Sequence, residues 1–444
     1  MTPAAHLMPS RMFDALSRDE SDTEALSLLQ RSQYSKHLLL LRTLLEETRR
    51  RGHPQASAVS DAYVLLTEVQ KRAPAAVESV IRYPAVGAWA LRVLWHLLNG
   101  HPPEACGAAQ PRRLAALAVS AAVRGGVELT ARMWTEGASL SLPSVGRAIF
   151  QGAGEGTPVR ARVRDGSVEF TVGRERVTVP TGARPVRLSS SLSGWEGVRM
   201  LPLGRGLRID DTDPFRFLPG ARQRGRLPEA EMTRWQRTAV EARQLLAERH
   251  HALGTEVDEL ISMLVPLATR RRSVVSASTR AAFGCVALSR PPDAVIMAVT
   301  LAHEVRHVKL AALMDLVPLV ESAPPRYYAP WRDDPRPPLG LLHGTYAFTG
   351  VAAFWSRQRH AETSPRAALK AHTEFARWRQ AAMETVQLLA EGGHLTPLGR
   401  GFVAGLAGTL RELCEQSVPS EALARARRAA ALHRARWRER NGAA

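Results

Sequence analysis

Apolar residues recur every three or four positions through "DTEALSLLQRSQYSKHLLLLRTLLEETRRRG", which closes on three arginines and a glycine. That spacing predicts a long amphipathic helix with a basic stop. "SAVSDAYVLLTEVQKRA", "VGAWALRVLWHLLNG" and "RLAALAVSAAVRGG" repeat the pattern, so residues 1 to about 150 read as helix, with Lys36, Trp89 and Trp95 as packing residues. The period then changes. "VRARVRDGSVEFTVGRERVTVPTGARPVRLSSS" alternates apolar and polar positions, with turn signals at Asp165-Gly166 and at Gly173. Alternation of this kind predicts a small antiparallel meander, continuing loosely through "VRMLPLGRGLRIDDTDPF". Asp210, Asp211 and Asp213 lack the spacing of a calcium loop and read as a solvated turn.

Helical spacing returns in "EAEMTRWQRTAVEARQLLAERHHALGTEVDELISMLVPL". His250 and His251 are neighbours there, so on a helix they point about 100° apart and do not share one ion easily. "RRSVVSASTRAAFGCVALS" reads as extended. Prolines and Asp293 then open a helix that runs through "AVIMAVTLAHEVRHVKLAAL". A proline-rich loop, "SAPPRYYAPWRDDPRPPLG", follows, and helix resumes at "LLHGTYAFTGVAAFWSRQRHAE" and continues to the arginine-rich tail "ALARARRAAALHRARWRER". The tail reads as a solvated helix face, with docking to an acidic partner as its alternative.

The predicted fold is α+β and mostly α. An N-terminal helical domain covers residues 1–155 and a small antiparallel β region covers 156–220. A mainly helical domain covers 221–444, and the HExxH run at positions 303–307 in its central helix marks it as a zincin-like metal-binding domain with an edge strand beside the site.

Composition narrows the function. Among 444 residues, 45% are hydrophobic, enough for globular cores. The net charge of +18 comes almost wholly from arginine, since lysine occurs only at positions 36, 71, 309 and 370. The arginines are dispersed and no nucleic-acid reader motif accompanies them, so nucleic acid is not the expected partner. Cys106, Cys285 and Cys414 are far apart and odd in number, which fits a reducing cytoplasm and neither a disulfide framework nor a cysteine metal site. The first residues, "MTPAAHLMPSRMFDALSRDESD", do not read as a signal peptide, and no segment reaches the ~20 apolar residues of a membrane span.

Candidate chemistry centres on His303-Glu304-Val305-Arg306-His307. Residues four apart on a helix lie within about 40° of one another, so both imidazoles can meet one ion, with Glu304 toward its open side. A third ligand is needed, and the metzincin extension fails because positions 310 and 313 are leucine. His343, 36 residues after His307 at a helix start, is the leading candidate; His360, Glu362, Asp333 and Asp334 are alternatives. Arg332 and Arg336 flank Asp333-Asp334, after Tyr328 and Trp331. Guanidinium groups near a metal suit a dicarboxylate, because they pair bidentately with carboxylate. The alternative is that they pair with the neighbouring aspartates and order the loop.

"LAHEVRHVKLAALMDLVPL" followed by "YYAPWRDDPRPPLGLLHGTYAFTGVAAFW" resembles a bacterial family of 2-oxoglutarate-dependent HExxH peptide β-hydroxylases. These accompany clusters for ribosomally made, post-translationally modified peptides, often of the FxSxx type with a radical-SAM partner. "LLQRSQYSKHLLLLRTLL", "YPAVGAWALRVL", "LSLPSVGRAIF", "DDTDPFRF" and "LISMLVPL" extend the resemblance over most of the chain. It implies Fe(II) held by His303, His307 and His343, with 2-oxoglutarate and dioxygen as co-substrates. Arg332 or Arg336 would anchor the ketoacid, with Tyr346 as a nearby hydrogen-bond donor. A precursor peptide would be the substrate, and a radical-SAM maturase of the same cluster a partner. Two other readings of the residues stay open: a zinc peptidase in which Glu304 activates the metal-bound water, and a helical scaffold without activity.

Overall fold

The computed structural model describes residues 4–20, 22–101, 109–181, 191–203, 206–218, 223–269, 274–321 and 325–442. Cys106 and residues 182–190 of the expected meander lie outside them. The fold is mixed α+β, 57% helical, with three small sheets among the described residues.

Among the described residues, six α-helices come first: α1 (Ser10–Ser17), α2 (Thr23–Arg50), α3 (Ala56–Arg72), α4 (Pro74–Ile81), α5 (Pro84–Leu98) and α6 (Leu114–Gly125). The Asp22 carboxylate caps α2 by accepting from the amides of Glu24 and Ala25, and Arg49 and Arg50 occupy its last turn, where the helix dipole favours positive charge. Trp89 is buried as expected, whereas Trp95 is exposed.

Strands begin earlier than the helical reading allows. β1 (Leu129–Trp134), β4 (Pro158–Arg164), β5 (Ser167–Val172) and β6 (Glu175–Pro180) form one antiparallel sheet in the order β1-β4-β5-β6. Asp165 and Gly166 turn β4 into β5 with φ of 49° and 65°, the backbone that an Asp-Gly hairpin supplies. β2 (Ser139–Leu142), β3 (Gly146–Ile149), β7 (Ser191–Leu192) and β8 (Trp195–Gly197) form a second antiparallel sheet. The strands between 129 and 149 are four to six residues long, too short for periodicity to separate them from helix.

A third sheet lies at the centre. It combines β9 (Arg199–Leu201) and β10 (Leu207–Ile209) with β11 (Met263–Pro266), β12 (Ser276–Ser278) and β13 (Cys285–Leu288), in the order β12-β13-β11-β10-β9. β10–β11 and β11–β13 are parallel and the outer pairs antiparallel, so the end of the expected meander joins a mixed sheet instead. The helical reading of Met263–Pro266 is corrected as well: all four residues are buried, and a strand covered on both faces shows no alternation. Leu264, Val286 and Leu288 face one hydrophobic core, and Met263, Val265, Cys285 and Ala287 face another. α2 serves both cores, with Leu26 and Leu29 in the first and Leu38, Leu41 and Leu44 in the second. Strand pairing therefore runs across both domain boundaries expected from the sequence, at 155 and at 220.

The acidic turn is buried, not solvated. Asp210, Asp211 and Asp213 are all at most 2% exposed. Tyr83 donates its hydroxyl to Asp210 at 2.5 Å, Arg199 and Arg226 hold Asp211, and Arg113 holds Asp213 at 2.9 Å. Their partners come from distant positions in the chain, which a local reading does not see.

The remaining helices are α7 (Glu229–Arg249), α8 (His251–Leu260), α9 (Ala294–Leu313), α10 (Pro338–Gln358), α11 (Pro365–Glu391), α12 (Pro397–Glu415) and α13 (Ser420–Asn441). Asp293 caps α9 through the Ile296 amide at 2.8 Å. α9 packs against α2, α7, α8, α10 and strand β12. His250 is buried, stacked on Phe354 and bonded to Gln358, while His251 is exposed; the two do not converge. No described helix is long and apolar enough to cross a membrane.

Candidate metal centre

α9 carries the HExxH residues on the face turned toward α10 and β12. One turn of helix separates His303 from His307, and their Nε2 atoms stand 3.0 Å apart. Two nitrogen donors at ~2.1 Å from one ion, about 90–109° apart, lie roughly 3.0–3.4 Å from each other, so this spacing suits a shared metal. His303 also packs edge-on against Phe348. His343, one turn into α10, has its ring centre 5.7 Å from that of His307. Among the described residues, no three His, Cys, Asp or Glu side chains come close enough together to hold an ion as they stand. The pair is in position, and His343 faces the same cavity from the second helix.

Burial keeps all three imidazoles neutral. It lowers His307 to about 4 and His343 to about 3, and takes His303 well below its ordinary value, with neighbouring charge adding to the effect on His303 and His343. A neutral imidazole offers a lone pair, so the chemistry of the donor set fits a transition metal.

Glu304 is buried with its Oε1 4.0 Å from His303 Nε2. Desolvation pushes its carboxyl up to about 7, against the pull of the Ser276 and Ser278 hydroxyls on β12; Oε2 has no hydrogen-bond partner. Ser276 and Ser278 were not singled out in the sequence. Their spacing of two on an extended segment, which puts them on one face, was the available signal.

The cavity over these residues has a volume of about 670 Å³. Trp331 stacks on Phe348, with ring centres 4.8 Å apart, to form one wall. Gly344 makes this possible, since a Cβ there would meet the Trp331 indole at 2.3 Å. Arg332 and Arg336 both line the cavity, and both are tied to Asp334, with Nε–O distances of 3.2 and 3.1 Å. The pairing with a neighbouring aspartate is the loop-ordering alternative, and the same two side chains line the cavity. Arg280, from the loop after β12, also lines the cavity and pairs with Asp315, which Lys36 and Gln33 hold as well. Sequence reasoning missed it because Asp315 is 35 residues away.

The other candidates lie elsewhere. Tyr346 is buried and donates its hydroxyl to the Leu16 carbonyl at 3.0 Å, away from the cavity. Asp333 pairs with Arg440, and Glu362 accepts from Gln358; neither lines the cavity, nor does His360. The tail helix is partly absorbed by the same loop: His433 bonds Tyr328 at 2.9 Å, and Asn441 donates to the Asp333 carbonyl.

On the opposite face of α9, Arg306 and Lys309 are buried against Asp19 and Glu256. Arg306 reaches Asp19 at 2.9 Å and Glu256 at 2.9 Å, and Lys309 reaches them at 2.9 and 2.7 Å. Gly350 on α10 leaves room for this guanidinium. No family model matches the chain, and neither does any curated protein.

Proposed function

We propose that the protein is an Fe(II)- and 2-oxoglutarate-dependent oxygenase that hydroxylates a side-chain β-carbon of a ribosomally made precursor peptide in the cytoplasm, alongside a radical-SAM maturase. The observation that carries this reading is one cavity lined by three neutral imidazoles and three arginines, Arg280, Arg332 and Arg336. His303 and His307 would hold the ion, with His343 as third ligand. Bound there with the ketoacid, iron supplies oxidation by dioxygen, which yields succinate, carbon dioxide and one oxygen atom inserted into a C–H bond. Guanidinium groups at the rim are suited to the far carboxylate of the ketoacid. The Trp331–Phe348 wall limits water on one side, and β12 offers an edge along which an extended peptide can lie. Glu304, buried next to the histidines, positions ligand or substrate.

The test is to load metal-free protein with Fe(II), add 2-oxoglutarate and air, and measure succinate with and without a random peptide library screened for a gain of one oxygen. Succinate formation that vanishes in His303→Ala is expected. Succinate at the level of that variant would overturn the reading.

One observation favours a second reading, a zinc peptidase. A buried carboxyl near 7, close to His303 and facing an edge strand, is what a general base for metal-bound water requires. Zinc-dependent cleavage of the same library without ketoacid would support it.

A further inference from the structure

A second cavity of about 280 Å³ adjoins the first, and Gln33 and Phe283 line both. It opens between α2, the α4–α5 connection and strand β10. Its volume lies just below the ~300 Å³ at which small-molecule pockets begin, so it suits one or two residues of a longer ligand.

Arg208 on β10 lines this cavity. It is half-buried, and its side chain makes no hydrogen bond or ion pair with any described residue; its guanidinium stands 5.9 Å from the Tyr83 ring centre. The neighbouring arginine is committed in contrast. Arg82 bonds Glu78 at 2.7 Å and the Gln30 carbonyl at 3.0 Å, and lies over the Tyr34 ring. Tyr34 also lines the cavity, and its hydroxyl has no protein partner among the described residues. Arg124 bonds Ser79 of the same cavity at 3.1 Å, and the charge of Arg208 adds to the burial that lowers its pKa. Glu259 also lines the cavity, where Gln30 donates to its carboxylate at 3.3 Å, so the lining carries both signs, and Arg208 is its guanidinium without a carboxylate partner among the described residues. A guanidinium has five donors and no acceptor, and its best partner is a carboxylate.

We propose that this cavity is a second peptide subsite, in which Arg208 binds the carboxylate of an Asp or Glu side chain of the same peptide whose reacting residue enters the histidine cavity. The inference rests on the peptide-substrate part of the proposed function and holds for either chemistry at the metal. The shared wall at Gln33 and Phe283 provides the continuity that one extended chain needs, and Tyr34 supplies a further donor.

The experiment uses the full-length protein, immobilised, and a positional library of octapeptides acetylated at the N-terminus and amidated at the C-terminus, so that only side chains carry charge. Mass spectrometry of the retained peptides is expected to show enrichment of Asp or Glu at one position, reduced about tenfold or more in Arg208→Gln. His303→Ala is expected to keep the enrichment, which separates this site from the fate of the metal reading. In the wild-type protein, an enriched peptide should protect Arg208 from phenylglyoxal, and its Asn or Gln analogue should not. Absence of acidic enrichment, enrichment undiminished in Arg208→Gln, or equal protection by acid and amide would overturn the proposal.

Discussion

Asp19→Asn tests whether the HExxH helix is held from its far side by charge. Asp19 lies in the turn between α1 and α2 with φ of 56°, a backbone that Asn tolerates as well as Asp, so the substitution changes charge with little change in strain. Its carboxylate faces Arg306 and Lys309, and Glu256 balances them from α8. All four side chains are at most 7% exposed. Two cations and two anions sum to zero, and the Asn variant leaves one buried positive charge without a partner. Breaking a buried pair in this way costs about 3–5 kcal/mol, and the amide oxygen that Asn keeps puts the expectation near 3. The measurement is the urea midpoint of unfolding, wild type against variant. The sign with pH follows from the lowered carboxyl. Although desolvation opposes it, the pull of Arg306 and Lys309 holds Asp19 below 3.8, so its contribution is present above that value and lost as pH falls below the folded pKa. The gap between the proteins should therefore stay constant from pH 5 to 8. Equal midpoints at pH 7 would refute the argument, and a gap that opened or closed between pH 5 and 8 would assign the effect to a different group.

Three further outcomes are expected. In metal-free protein the folded state keeps His307 near 4 and His343 near 3, while the unfolded chain takes up protons near 6.5. Stability should therefore fall as pH drops from 6.5 toward 4, and His307→Asn should flatten that slope in a thermal melt; an unchanged slope counts against buried neutral histidines. Gly344→Ala should displace Trp331 from Phe348 and cost about 1–3 kcal/mol by overpacking, visible as altered tryptophan fluorescence and a lower denaturation midpoint; unaltered fluorescence would show that the wall adapts. Glu304→Gln should leave succinate formation within about tenfold of wild type, because no step of the proposed oxygenase uses it as a base, whereas a peptidase would lose roughly 10²–10⁴-fold.

Where local chemistry decides structure, the sequence was legible. The leucine spacing of α2, the Asp293 cap of α9, the Asp165-Gly166 hairpin and the extended segment that became β12 and β13 all follow from nearest neighbours. Partners far away in the chain were not. Asp213 reads as a solvated turn until Arg113, 100 residues earlier, is found against it. Met263–Pro266 reads as the end of a helix until the sheet covers both of its faces. Tyr346 shows the same limit inside one helix. Three residues from His343, it sits about 60° to one side, whereas Gly344 and Phe348 lie about 100° and 140° to the other, where the cavity is. Arg306 and Lys309 were visible as charges in an apolar helix, but nothing local pointed to Asp19 and Glu256.

The division of labour on α9 bears on how much an HExxH pattern says by itself. Its two histidines and glutamate are compatible with hydrolysis and with oxidation, since both need neutral imidazoles over an open position. The features that separate the chemistries lie off the helix. Arg280 comes from the loop after the edge strand, and Arg332 and Arg336 come from the proline-rich loop clamped by α13. A peptidase needs its charge at the scissile bond, where Glu304 and the metal already provide it. Three guanidiniums around the rim are excess for that task and suit a co-substrate with a carboxylate at its far end. In the proposed function the edge strand and the adjoining Arg208 cavity would serve a peptide under either chemistry, so peptide recognition is the part of that proposal that does not depend on how Glu304→Gln turns out.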